Sequence, residues 1–472
     1  MTTTMTDVCM LSLEDVAMKL RTKEISPVEL TQAMLARIER LNPPLNAYMT
    51  VTAERAIEQA RTAEREIAFG AYRGPLHGVP VAHKDLYDTK GVRTTAGSKI
   101  MADRVPDADA TAVRKMTEAG AITLGKLGLH EFAFGGTSDN PHYGTIRNPW
   151  DTNRCPAGSS GGSGAAVAAG LAFAATGSDT GGSIRMPASF CGTVGLMPTY
   201  GRASLYGAIP LSWTLDHAGP LARTVRDAAV VAQAISGRDP LDPTTEDRPV
   251  PDFLGGIEAG PKGLRIGVPK QYFWDGCAPE QRDAVRKAIA ALESAGAMVK
   301  DMDFARVEAY FQAAAMIIVV DAAAYHQPTF PSRRDEYGAD VAALLDVGQN
   351  VPAHAFASAM RTLAIARGGE ADAVLDAHGI DVLAVPTTPI TAPTVEEARD
   401  PAIAGLHHIY TMPFDLTGQP VVAVPAGLTP SGLPASISFV GRQWDEAAAL
   451  RAARAWEQVR GPFPAPALAT QA

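Results

Sequence analysis

Residues 157–192 read AGSSGGSGAAVAAGLAFAATGSDTGGSIRMPASFCG, and from Gly158 to Ser183 eight glycines and five serines fill half of the positions. Asp179 is the only acid in the stretch. Gly/Ser composition by itself suits a flexible linker. The middle of the tract argues against one, because GSGAAVAAGLAFAAT (162–176) is an unbroken run of small and apolar residues that must be buried. It reads as a helix leading into a short strand. The glycines then fall into two turns, Gly158–Gly164 and Gly177–Gly182, that flank a packed element. Turns of this kind let the backbone approach another group closely, and successive unobstructed N–H groups make a cradle for negative charge.

Outward from the tract, strand and helix signals alternate. Leu76 to Leu86 (LHGVPVAHKDL) holds a short apolar strand ending at Lys84. A helix over 109–119 and a strand over 121–125 follow. Ser12-Leu-Glu-Asp and Ser26-Pro-Val-Glu are helix starts, the second a capping box with proline at the first helical position. Thr52 opens a third helix that runs to about Phe69. Beyond the Pro/Asp-rich loop at 237–253, LRIGVP (264–269), a helix over 279–295 and MVKDMDF (298–304) form a strand–helix–strand unit. Helices fill roughly 307–378, DVLAVP, VVAVPAG and ASISFVG are strands, and Trp444–Arg460 is a closing helix. This alternation predicts an α/β protein with a central mixed β-sheet surrounded by helices, the strands of both chain ends sharing one sheet. Its expected parts are an N-terminal helical region, 1–70, and an α/β domain, 71–472, with a variable, mostly helical section at about 305–380.

Composition narrows the function. The chain has 472 residues, 46% of them hydrophobic and 20% charged, which is the balance of a globular protein. A net charge of −9 argues against a nucleic-acid or anionic-membrane partner. Cys9, Cys155, Cys191 and Cys277 are widely spaced with no CxxC, as expected of reduced thiols in a cytoplasmic protein. The start, MTTTMTDVCMLSLEDV, lacks the basic and apolar regions of a secretory signal. No window holds 18 uninterrupted apolar residues, so no membrane span is expected. HExxH and other metal-ligand spacings are missing, and so is the GxxxxGK[ST] phosphate loop, so neither a metal nor a cofactor is expected.

Three residues carry candidate chemistry: Ser183 in TGGS, Ser159 in AGSS, and Lys84 at a strand end. A serine hydroxyl is a poor nucleophile until a base takes its proton. Among the histidines His83 is the candidate for that work, whereas His130, His142 and His217 sit in contexts typical of packing or polar loops. A lysine can replace histidine where burial leaves the amine neutral. Lys84 follows the apolar run Val79-Pro-Val-Ala, and no lysine occurs between Lys126 and Lys262. From spacing alone, a solvent-facing lysine at a strand end competes with this reading. Gly158-Ser-Ser-Gly-Gly also fits GxSxG with Ser160 as nucleophile, but DTNRCPA before it is a poor strand.

VAHKDL around Lys84, RNPWDTNRCPAGSSGGSGAAVAAG (147–170) and GSDTGGSIRMPASFCGTVGLMPTYGR (177–202) resemble the amidase signature family, whose members cleave amides with a Ser-cisSer-Lys triad. Weaker likeness, including VVAVPAG and ISFVGR, covers most of the chain. The resemblance implies that Ser183 is the nucleophile, Ser159 the bridging serine held by a cis peptide, and Lys84 the base. It places oxyanion donors at the N–H groups of Thr180, Gly181, Gly182 and Ser183. Asp179 and Arg185 become supports of that loop, and the turn with Ala133, Gly135 and Thr137 lines the acyl pocket. The implied partner is a small-molecule amide, carbamate or urea-type substrate, and the N-terminal helices offer a surface for a homodimer.

Within the family, GSDTGGSIR and PTYGR also resemble the glutamine-hydrolysing component, the A subunit, of a tRNA-dependent amidotransferase. Where that component carries an acid to grip the amino group of glutamine, this chain has His408 in LHHIYTMPFDLTG. The difference points to a free-standing amidase, with the amidotransferase component as the alternative.

Overall fold

A computed structural model describes residues 8–470. The reading of the first residues as lacking a secretory signal falls largely on residues 1–7, outside the described part. Eleven strands form one mixed sheet: β1 (Tyr48–Val51), β2 (Pro80–Lys84), β3 (Ile122–Leu127), β4 (Ala174–Asp179), β5 (Val194–Met197), β6 (His217–Ala222), β7 (Arg265–Pro269), β8 (Met298–Met302), β9 (Val382–Pro386), β10 (Val421–Leu428) and β11 (Pro434–Val440). Their order across the sheet is β1-β3-β2-β4-β6-β5-β10-β11-β9-β7-β8. Strands from both halves of the chain therefore share the sheet, as the alternation predicts. The register is parallel at β3-β2-β4 and at β9-β7-β8, and antiparallel between those blocks.

β2, β3, β4 and β6 are buried along their whole length, on both faces, as strands in the middle of a covered sheet are. The N-terminal helices start where their caps place them: the Ser12 hydroxyl accepts from the Asp15 N–H, and Ser26 with Glu29 closes a capping box. Three features differ from expectation. β1 (Tyr48–Val51), inside the 1–70 region expected to be helical, is an edge strand of the sheet. β5, β6 and the helix Val225–Ile235 lie in a region where the sequence pattern marks no strand or helix, and the glycines of the serine tract are not confined to turns. Gly161, Gly162 and Gly164 lie inside the helix Gly161–Ala168, where a Cβ on Gly162 would overlap the carbonyl oxygen of Gly128 at the end of β3. Here glycine serves close helix-to-backbone packing.

The helix Val307–His326 is long and apolar enough to cross a membrane by length and composition alone. Half of it is buried inside the fold, and its Asp321 accepts a 2.6 Å hydrogen bond from the Ser212 hydroxyl. With Ala339–Gln349, Ala353–Ile365 and Ala371–His378 it makes up the helical section.

Candidate active site

Lys84 is the last residue of β2, with β3 on one side and β4 on the other, and its side chain is fully buried. Neighbouring residues of a strand face opposite ways. His83 accordingly lies on the other face, 3.3 Å from the Thr123 hydroxyl, and burial pushes its pKa down to about 3. The His83 candidacy is thereby corrected: its ring is held away from the serines, while Lys84 faces them.

The Lys84 side-chain nitrogen sits 2.7 Å from Ser159 Oγ and 2.8 Å from Ser178 Oγ. Its backbone N–H donates to Thr176 Oγ1 at 3.1 Å. Thr176 and Ser178 are two residues apart on β4, so one face of that strand supplies both contacts. Burial pushes the Lys84 pKa down to about 7, against the opposing pull of Asp179 and Asp216.

Ser159 follows a cis peptide bond after Gly158, as expected. Its carbonyl oxygen accepts from the His130 N–H at 3.1 Å and from the Ser138 hydroxyl at 3.3 Å. Gly158 leaves no room for a side chain: a Cβ there would stand 2.9 Å from the Gly136 carbonyl carbon and 2.9 Å from the Thr137 nitrogen. The turn holding Gly135 and Thr137 is thus packed directly on the Ser159 turn, with Ala133 buried beside it. Ser160 has its hydroxyl turned inward to the Ser178 carbonyl at 3.3 Å, and no strand precedes it, so the strand–turn–helix setting of a nucleophile elbow is missing.

Ser183 is joined to this turn through its carbonyl, which accepts from the Ser160 N–H at 3.3 Å. The loop leading to it is shaped by Asp179. One carboxylate oxygen accepts from the Gly182 N–H at 2.6 Å, the other from the Ile184 N–H at 3.0 Å, and both meet the Arg185 guanidinium. This corrects one expected donor, because the Gly182 amide is occupied by Asp179 and the amides of Thr180, Gly181 and Ser183 are left. Gly182 has φ +120°, and a Cβ on it would overlap Thr411 Oγ1. Burial pushes the Asp179 carboxyl up, but the Arg185 guanidinium outweighs it and holds the group below the usual carboxylate range. Arg185 also meets Asp415 at 2.6 Å, where burial keeps the carboxyl well above its ordinary pKa.

Asp216, one residue before β6, carries no signal in the sequence. Its carboxylate accepts from the Thr180 hydroxyl at 2.6 Å and from the N–H groups of Leu211 and Ser212 at 3.0 Å each. Burial pushes its pKa up to about 7, against those hydrogen bonds. No local motif flags it, since its partner Thr180 lies 36 residues earlier. Ser178 is readable in principle, two positions beyond Thr176 on a strand that faces Lys84.

His407 and His408 occupy a turn beside the site. His407 Nδ1 lies 3.1 Å from the Gly136 carbonyl and His408 Nδ1 lies 3.1 Å from the Gly181 carbonyl. A Cβ on Gly136 would stand 2.7 Å from His408 Nε2. Burial pushes the pKa of His408 below its ordinary value, so the ring is neutral at neutral pH. Among the described residues no cluster of His, Cys, Asp or Glu could hold a metal ion.

The amidase family model matches residues 29–450, a span that includes every residue of this constellation. The chain belongs to the amidase family. The A subunit of glutamyl-tRNA(Gln) amidotransferase from Moorella thermoacetica is 42% identical to it over 93% of this chain and 94% of that protein. Among solved structures, native peptide amidase from Stenotrophomonas maltophilia is 32% identical with a TM-score of 0.86, covering 97% of this chain and 98% of that one. The A subunit of glutamyl-tRNA(Gln) amidotransferase from Thermotoga maritima is 34% identical with a TM-score of 0.82, covering 98% of each. The expected family and fold class are both met. The names of the sequence relatives fall on the side of the alternative, the amidotransferase component, rather than the free-standing amidase.

Proposed function

We propose that this amidase-family protein hydrolyses a carboxamide C–N bond through an acyl-enzyme on Ser183. The observation that carries the reading is the 2.7 Å approach of Lys84 to Ser159 by an amine whose pKa burial pushes down to about 7. Neutral Lys84 takes the proton of Ser159, which takes that of Ser183 as its oxygen attacks the carbonyl carbon. The oxyanion is met by the N–H groups of Thr180, Gly181 and Ser183, where one such donor contributes about 3 kcal/mol. Collapse of the tetrahedral adduct breaks the C–N bond, and the leaving nitrogen takes a proton back through Ser159. Water then attacks the ester with the same relay acting in reverse, giving the carboxylic acid and free Ser183. Lys84 needs no third carboxylate to orient it, because Ser178 Oγ and the strand itself fix the amine.

Two amides fit this chemistry. The names of the relatives favour glutamine, with the chain serving as the A subunit of a tRNA-dependent amidotransferase and handing ammonia to partner subunits. In that case the expectation of no nucleic-acid partner fails, since the complex acts on tRNA. His408 favours an uncharged aliphatic amide, aryl amide, carbamate or urea-type substrate, because a neutral imidazole beside Gly181 holds an ammonium less firmly than a carboxylate would.

The test is product release by the purified chain from glutamine and from a panel of uncharged amides, with Ser183→Ala as blank and a fluorophosphonate probe as label. Turnover of uncharged amides by the chain alone supports the second substrate class. Glutamine turnover that appears or rises on adding the partner subunits supports the first. Equal labelling or turnover by Ser183→Ala overturns the acyl-enzyme reading.

A further inference from the structure

Three consecutive buried residues, His130, Glu131 and Phe132, join the Ser159 turn to the helical section some two hundred residues later. His130 touches the relay directly, its backbone N–H donating to the Ser159 carbonyl at 3.1 Å. Its ring Nδ1 accepts from the Ser138 N–H at 3.2 Å, and the Ser138 hydroxyl holds the same Ser159 carbonyl. An Nδ1 that accepts leaves the proton on Nε2. Nε2 therefore donates to Asp340 Oδ2 at 2.8 Å. The ring also packs on Gly135 so closely that a Cβ there would overlap it.

Glu131 and Phe132 grip the same region. The Glu131 carboxylate accepts from the Gly338 N–H, at the start of the helix Ala339–Gln349, at 2.6 Å, and from the Ser98 hydroxyl at 2.6 Å. His142 Nε2 lies 2.9 Å from the same carboxylate. Phe132, at φ +50°, sets its ring 4.3 Å from that of His326 and 5.6 Å from that of Tyr337. The attachment is thus firm at Glu131 and Phe132 without Asp340. Asp340 is different: its side chain is 56% exposed while the His130 ring it meets is 3% exposed. An exposed carboxylate in the first turn of a helix adds little to the core, yet this one fixes the orientation of a buried ring whose own backbone holds Ser159.

We propose that Asp340 is a positioning residue, which through His130 fixes the carbonyl of Ser159, so that the helical section sets the geometry of the proton relay. This role rests on the acyl-enzyme reading of Ser183, Ser159 and Lys84. It gives the section a duty beyond packing: its seating on the Ser159 turn is read out in the rate of proton transfer.

The experiment measures the rate of fluorophosphonate labelling, which needs no knowledge of the natural amide, together with thermal melting. Asp340→Ala removes the acceptor and should slow labelling about tenfold, since small misplacements of a relay cost rates of this order, with the melting temperature close to native. Asp340→Ser, too short to reach the ring, should match it. Asp340→Asn keeps an oxygen that accepts from Nε2–H and should restore at least half of the native rate. Native labelling by the Ala and Ser variants, or equal slowing in the Asn variant, overturns the positioning role. So does a lowered melting temperature with an unchanged labelling rate. Label on Ser183→Ala instead overturns the acyl-enzyme reading itself.

Discussion

The serine tract and the helical section are built to opposite specifications. From Cys155 to Cys191 every residue is buried; Ser160, Ser163 and Asp179 are hydrogen-bonded within the stretch, and Ser159, Thr180 and Arg185 meet Lys84, Asp216 and Asp415. The section from Val307 to His378 alternates buried and exposed positions, exposes Val347 and Ile365, and is interrupted at Ala366–Glu370, where Gly369 has φ +110°. In the tract burial itself tunes the chemistry, since it is what lowers the pKa of Lys84. In the section most buried side chains hold helices in place. The contrast teaches that a variant at Lys84 or in the tract facing it should affect the rate far more than a core truncation in the section.

The widest separation is expected between Lys84→Ala and a core truncation in the helical section. Loss of the base should lower kcat/KM by about a thousandfold, within the range of general-base contributions and their coupled relay. In the native protein kcat/KM should fall tenfold per pH unit below a midpoint near 7, because protonated Lys84 cannot accept the Ser159 proton. The sign follows from a cationic acid with lowered pKa: the active, neutral form accumulates as pH rises. Lys84→Ala should have no such limb. Leu345→Ala, by contrast, removes a fully buried side chain from the helix Ala339–Gln349 and should cost about 3 kcal/mol of stability. Denaturant unfolding would show that loss, with kcat changed by no more than a few-fold. A thousandfold fall in kcat for a folded Leu345→Ala would break the contrast.

The same division governs what could be read from the chain. The strand ending at Lys84, the Ser12 and Ser26 caps and the sheet shared by both chain ends follow from local patterns, because each rests on hydrophobic runs or on residues three apart. The tract announces itself by composition, and its likeness to a known family supplies Ser159 and Ser183. What escaped depends on groups brought together from afar. Asp216 acts through Thr180, Ser178 matters only once β4 is known to lie beside β2, and His130 is a packing histidine until Asp340 reaches it. The glycines of the helix Gly161–Ala168 mislead for a related reason: a turn and a tight helix–backbone contact both call for glycine, and only the neighbour at Gly128 tells them apart.

His408 lies between Gly136 and Gly181, on the rim of the serine tract. His408→Asp should raise kcat/KM for glutamine about tenfold if an ammonium group lies there, in line with a charge-assisted hydrogen bond of about 1.5–3 kcal/mol. Activity on uncharged amides should fall by a smaller factor, since the contact to the Gly181 carbonyl is lost. Kinetics on both substrate types check the pair of changes. Loss of glutamine turnover in the variant would place the ammonium elsewhere.

The smallest expected effect is the most diagnostic of the tract. The charge of Asp216 acts through space on Lys84 and favours its charged form, so Asp216→Asn should move the acid limb of kcat/KM to lower pH. The Asn oxygen can still accept from the Thr180 hydroxyl, so the loop keeps one of its ties and the plateau should drop only a few-fold. Because Lys84 and Asp216 both titrate near 7, the native midpoint belongs to the pair and not to either residue alone. If Asp216 were already neutral through the limb, the substitution would leave the midpoint where it is. A shift to higher pH would mean that the group limiting the rate is not Lys84, because removing a negative charge can only make a nearby amine easier to deprotonate.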